Sequence, residues 1–129
     1  MTRDELKLYI FETYSTSPDM PWPDSPEDEV FRHSSNRKWF ALCMRIPKRY
    51  LGLSGDERTD VLNMKCDPLM TGSLLGREGF FPAYHMNKDK WISAVISDAD
   101  EELLKTVLDM SFELTAPKIK RKRKDNQGE

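Results

Sequence analysis

Residues 61–96 read VLNMKCDPLMTGSLLGREGFFPAYHMNKDKWISAVI. The alternation at its start predicts a strand over Val61–Cys66, with Leu62, Met64 and Cys66 turned inward and Asn63 and Lys65 outward. Asp67-Pro68 then opens a helix. The carboxylate can accept from the first free amides, and proline at the first helical position lacks an amide that would have gone unpaired there. Leu69, Leu74 and Leu75 are the apolar residues of that helix, and Gly76 or Gly79 ends it. Phe80–Tyr84 reads as extended, His85–Lys90 as a turn and Trp91–Ile96 as the last strand.

The flanks complete the pattern. Thr2 with Glu5 three residues on forms a capping box, and Leu6, Tyr9, Ile10 and Thr13 follow on one helical face. That helix should stop near Thr16, because Pro18, Pro21, Pro23 and Pro26 cannot continue it. Trp22, inside the proline-rich stretch, is expected to pack down as a plug. Val30–His33 reads as a short strand, Ser34–Lys38 as its turn, and Trp39–Ile46 as a second strand. Its alternation places Phe40, Leu42, Met44 and Ile46 on one face and Trp39, Ala41, Cys43 and Arg45 on the other. Pro47–Asp60 is a polar loop. Asp98 with Glu101 is expected to cap a final helix with the stripe Leu103, Leu104, Val107 and Leu108, fading by Pro117. The order is α-β-β-β-α-β-β-α. It predicts an α+β fold: one antiparallel-rich sheet with helices on one face and the other face partly open to water.

A chain of 129 residues suits one domain, placed here at residues 1–117 with a basic, disordered tail over 118–129. No apolar run approaches the roughly 18 residues that a bilayer span needs. The N-terminus lacks a basic-then-apolar leader, so the cytoplasm and a monomer with no membrane contact are the expectation. Cys43 and Cys66 sit in apolar strands and read as free, buried thiols rather than a disulfide or a nucleophile. No metal-ligand spacing occurs and no cofactor is expected. From Lys118 onward there are six bases and two acids, which leaves the body with 14 bases, 20 acids and a net charge of −6. A body that acidic holds polyanions only through a local patch or the tail.

Four motifs resemble the MmcQ/YjbR family: Lys38-Trp39-Phe40-Ala41-Leu42, Lys65-Cys66-Asp67-Pro68, Pro82–Lys88 with Trp91-Ile92, and Ser111-Phe112 after the last helix. The likeness runs from about Trp22 to Leu114. It implies a double-wing fold, similar to that of secretion chaperones and CyaY-like proteins, and a DNA-binding role. The loop Arg49–Asp60 looks longer than that family's connection, and the tail looks like an addition.

The implied contact surface is the basic turn His85, Asn87, Lys88 and Lys90 with Trp91, extended by Arg45 and Lys65 on outward strand positions. The tail residues Lys120, Arg121, Lys122, Arg123 and Lys124 would grip phosphates without sequence preference. The same turn also reads as a solvated corner whose Asn87 and Asp89 are turn formers. Trp39 and Trp91 read either as stacking platforms for bases or as packing residues. No nucleophile–base pair is legible, so the expectation is a non-enzymatic DNA-binding protein. The alternative is a protein-interaction or chaperone-like module that uses the exposed sheet face.

Overall fold

The computed structural model describes residues 1–118. They form three helices and a five-stranded antiparallel sheet, β1 (Glu29–Arg32), β2 (Trp39–Pro47), β3 (Arg58–Lys65), β4 (Phe80–Pro82) and β5 (Trp91–Val95), in the spatial order β1-β2-β3-β5-β4. Helices α1 (Arg3–Tyr14) and α3 (Glu101–Thr115) cover one face, and α2 (Pro68–Leu74) carries the chain from β3 to β4. The α+β architecture and element order match the sequence expectation.

Local chemistry sets most boundaries. The Thr2–Glu5 capping box is present, and Ser15 ends α1 in the left-handed conformation. Asp67 caps α2 by accepting from the Leu69 amide at 2.9 Å, yet the Leu69 side chain is 91% exposed, so Leu74, with Met70, docks this helix. Asp100, not Asp98, caps α3, accepting from the Leu103 amide at 2.9 Å. Asp98 instead occupies a turn in which its own amide donates to the Val95 carbonyl. The expected Pro47–Asp60 loop is shorter than it reads. A 3-10 turn spans Lys48–Leu51, the Lys48 amide donates to the Glu57 carbonyl at 2.9 Å, and β3 already begins at Arg58.

Leu6 and Ile10 of α1 and Leu104, Val107 and Leu108 of α3 pack against Phe31, Ala41, Cys43, Leu62 and Met64. Each of the larger aliphatic and aromatic side chains contributes roughly 1.5–3 kcal/mol on burial. Strand β2 departs from strict alternation. The β1–β2 register jumps between Phe31, opposite Ala41, and Arg32, opposite Trp39. Phe40 is the extra residue of a bulge and turns toward the helices beside Ala41, while Trp39 joins Leu42 on the opposite face. The bulge leaves the Phe40 carbonyl and the Lys65 amide outside the strand ladder. The Ser111 hydroxyl satisfies both, donating to the first at 2.6 Å and accepting from the second at 2.8 Å. Ser111-Phe112 therefore lies inside α3 rather than after it. Phe112 stacks on Tyr14 with centroids 4.4 Å apart.

His33 is buried beside Phe40 and Phe112, and its Nε2 shares a hydrogen bond with the Thr115 hydroxyl at 2.8 Å. Burial pushes its pKa down. On acidification the unfolded chain then takes up a proton at pH about 6.5 that the folded chain refuses. His33 thus supports full stability above that pH and withdraws it as the pH falls. Denaturant midpoints measured from about pH 7 to pH 5 are expected to fall less steeply for His33→Gln than for the parent chain. Parallel slopes would remove His33 from the acid response.

Candidate binding groove

The sheet face away from α1 and α3 is not simply open to water. Val30, Leu42, Met44, Ile46, Val61 and Val95 form a second apolar layer there, all at most 7% exposed, with Trp39, Tyr84 and Met86 packed on it. Two segments rise from this floor. One is the proline-rich stretch before β1, which bears Trp22, Asp24, Glu27 and Asp28. The other is the β4–β5 connection, which bears Tyr84, His85 and Met86.

Between them runs a groove. One cavity of about 590 Å³ is lined by Trp22, Asp28, Trp39, Leu42, Met44 and Met86. A second of about 500 Å³ continues past Glu27 and Ile46 toward Arg58. The two share Asp24, Ser25, Asp28, Met44 and His85. Trp22 meets Trp39 edge to face, with centroids 5.7 Å apart, so it caps one end of the groove rather than plugging the core.

A buried hydrogen-bond ring fixes the wall at Tyr84. Asn63 donates from Nδ2 to the Tyr84 carbonyl at 2.9 Å, the Tyr84 amide donates to Ser93 Oγ at 2.9 Å, and Ser93 Oγ donates back to Asn63 Oδ1. Alternation predicts Asn63 in solvent, but it is completely buried because the β4–β5 connection folds over it. His85 next to it takes a positive φ of 58° and packs its ring 4.0 Å from that of Tyr84.

The expected cationic surface divides. Lys65 lies opposite Trp91, and the Lys90 carbonyl accepts from the Cys66 amide, so Lys65, Lys90 and Trp91 share one end of the sheet. Arg45 lies opposite Asp60 and pairs with it at 3.3 Å, five residues back along β3 and so about 17 Å from that end. Lys88 donates its ammonium to the Ala83 carbonyl at 2.8 Å. Asn87 accepts from the Asp89 amide at 2.8 Å, which makes it a turn former. His85 lines the groove instead. Lys120, Arg121, Lys122, Arg123 and Lys124 lie outside the described residues.

Sequence reasoning passed over Trp22, Asp24, Asp28, Met44 and Met86 as a group. The signal available was the run Trp22–Glu29, where an aromatic and four acids share a rigid proline-rich segment. Cys43 and Cys66 are both buried and free. Burial pushes the Cys43 thiol up to about 12 and raises that of Cys66. Among the described residues, no three His, Cys, Asp or Glu side chains are placed to hold a metal ion, and no helix is long and apolar enough to cross a membrane.

The family model for YjbR matches residues 11–114. The chain belongs to the YjbR family. This YjbR chain is 40% identical over 116 residues to the uncharacterized protein YyaQ of Bacillus subtilis (strain 168), covering 89% of itself and 98% of that relative. A crystal structure of a Pseudomonas syringae protein superposes with a TM-score of 0.88 at 41% identity, over 90% of the YjbR chain and all of the other. A Deinococcus radiodurans protein carrying the DUF419 domain is more distant, with a TM-score of 0.64 and 25% identity over 88% and 77% of the two chains.

Proposed function

We propose that this YjbR-family chain is a non-enzymatic binding protein that holds a segment of a partner protein in the groove between Trp22 and His85. The supporting observation is the groove itself: an apolar floor of Leu42, Met44 and Ile46, an acidic wall and an aromatic end. Apolar side chains of a bound segment would displace water from the floor, and its backbone and polar groups would meet the walls. The raised thiols of Cys43 and Cys66 favour binding over nucleophilic chemistry, because neither supplies a thiolate near neutral pH.

Displayed random peptides selected on the chain test this directly. Enriched peptides are expected to lose at least about tenfold in affinity for Trp22→Asp. Peptides that bind both proteins equally, or no enrichment at all, would sink the groove as a partner site.

DNA is the alternative partner, favoured by Lys65, Lys90 and Trp91 at one sheet end and by the basic sequence from Lys118 to Lys124. A DNA-binding chain should give a log–log salt slope of about −0.9 per phosphate contacted. Affinity should also fall for Lys65→Glu with Lys90→Glu. A salt-insensitive or absent anisotropy change with a labelled duplex would leave DNA without support.

A further inference from the structure

We propose that the Trp22–Trp39 end of the groove receives a cationic side chain, so that the partner is a basic segment in which lysine or arginine alternates with apolar residues. This rests on the groove being a partner site, and it names what the site selects.

The two indoles meet at 84°, which presents two ring faces at a corner rather than a single flat platform. Indole faces attract cations, and a corner can contact an ammonium or guanidinium from two sides. Trp39 already takes one cation within the chain: Arg32, held by Asp19 at 2.9 Å, lies 5.6 Å from the ring centroid. Trp22 has no such partner among the described residues.

The carboxylates beside the corner are unbalanced. Asp19 pairs with Arg32 and Arg37, and Glu27 with Arg58. Asp24 and Asp28 both line the cavity, and neither has an ion-pair partner among the described residues. Desolvation raises the Asp28 pKa despite the charges of Arg3 and Arg58, as expected for a carboxylate short of positive charge. A docked ammonium would supply that charge, whereas a carboxylate or phosphate would meet like charge. The apolar floor then selects the neighbouring residues of the partner, and the net −6 of the body steers a basic segment toward it.

The test is fluorescence anisotropy of the full chain with two labelled decapeptides, one alternating leucine with lysine and the other leucine with glutamate. The lysine peptide is expected to bind and the glutamate peptide to bind at least about tenfold more weakly. Asp24→Asn with Asp28→Asn, and separately Trp22→Ala, should each weaken the lysine peptide at least about tenfold. Asp98→Asn with Glu102→Gln, which removes the same charge elsewhere on the surface, should leave it unchanged.

Equal weakening by the two carboxylate pairs would reduce the effect to general attraction and overturn the proposal. If a neutral or acidic peptide binds as well and still depends on Trp22, the groove stands as a partner site and the cation preference falls. If no peptide depends on Trp22, both fall. Tighter binding after glutamine replaces Lys120, Arg121, Lys122, Arg123 and Lys124 would make the chain's own end the occupant. A dimer that Trp22→Asp disperses would make the occupant a second copy. Either result would overturn the assignment to a partner protein.

Discussion

Asn63→Leu is expected to cost about 3 kcal/mol of folding free energy and to abolish peptide binding in the groove. Asn63 has no solvent exposure and faces Ser93 across β3 and β5. Its amide nitrogen donates to the Tyr84 carbonyl, and its amide oxygen accepts from Ser93. Leucine has a similar size but neither group, so the Tyr84 carbonyl and the Ser93 hydroxyl would be left buried with a bond missing. Each stranded group costs about 1–3 kcal/mol, and the apolar contacts of leucine recover part of that. The functional loss follows from position, because Tyr84 leads into His85 and Met86, which line the groove. Denaturant midpoints measure the stability term, and peptide anisotropy on the still-folded fraction measures the second. A loss below about 1 kcal/mol with binding intact would show that the ring does not hold this wall. Ser93→Ala should cost a similar amount, since it strands both the Tyr84 amide and the Asn63 amide oxygen.

Gly79→Ala is expected to destabilise the chain by about 3–4 kcal/mol, far beyond the usual cost of an added methyl group. Gly79 has a φ of +86°, which an L side chain adopts only under strain. A Cβ there would also sit 2.6 Å from the Ala99 nitrogen and 2.7 Å from its Cα. Those are backbone atoms, and hydrogen bonds fix both sides of the contact. The Ala99 amide donates to the Val95 carbonyl at 3.0 Å, and the Val95 amide donates to the Gly79 carbonyl at 2.7 Å. The crowding would therefore separate β4 from the turn that leads into α3. Gly72 provides the control. It lies within α2, a Cβ there would meet nothing within 4 Å, and Gly72→Ala should be neutral or stabilising by up to about 1 kcal/mol. Similar midpoints for the two variants would refute the close approach at Gly79.

Where sequence reasoning erred, the cause was a contact made at a distance along the chain. Alternation in Trp39–Ile46 assigns Phe40 to the face of Leu42, because period-two logic cannot register an inserted residue. The bulge is held by Ser111, some seventy positions away. The same logic puts Asn63 in water, since nothing near it in sequence reveals that Tyr84 will fold across it. Arg45 and Lys65 share outward parity on paper, but the register sets Arg45 of β2 beside Asp60, five residues along β3 from Lys65. The acids of the proline-rich stretch become a wall only through their position over the second apolar layer.

Local interactions settled what could be settled locally. The caps at Thr2 and Asp67, the proline barrier after α1 and the apolar stripes of α1 and α3 depend on neighbours within about four residues, so the order of elements and the α+β class follow from the chain itself. The groove is different in kind. Its floor comes from β2, its acidic wall from the segment before β1 and its other wall from the β4–β5 connection, and these meet only when β5 pairs with β3. Burial and unpaired charge arise from what surrounds a side chain in space, and for Asp28 that environment exists only after the sheet has closed.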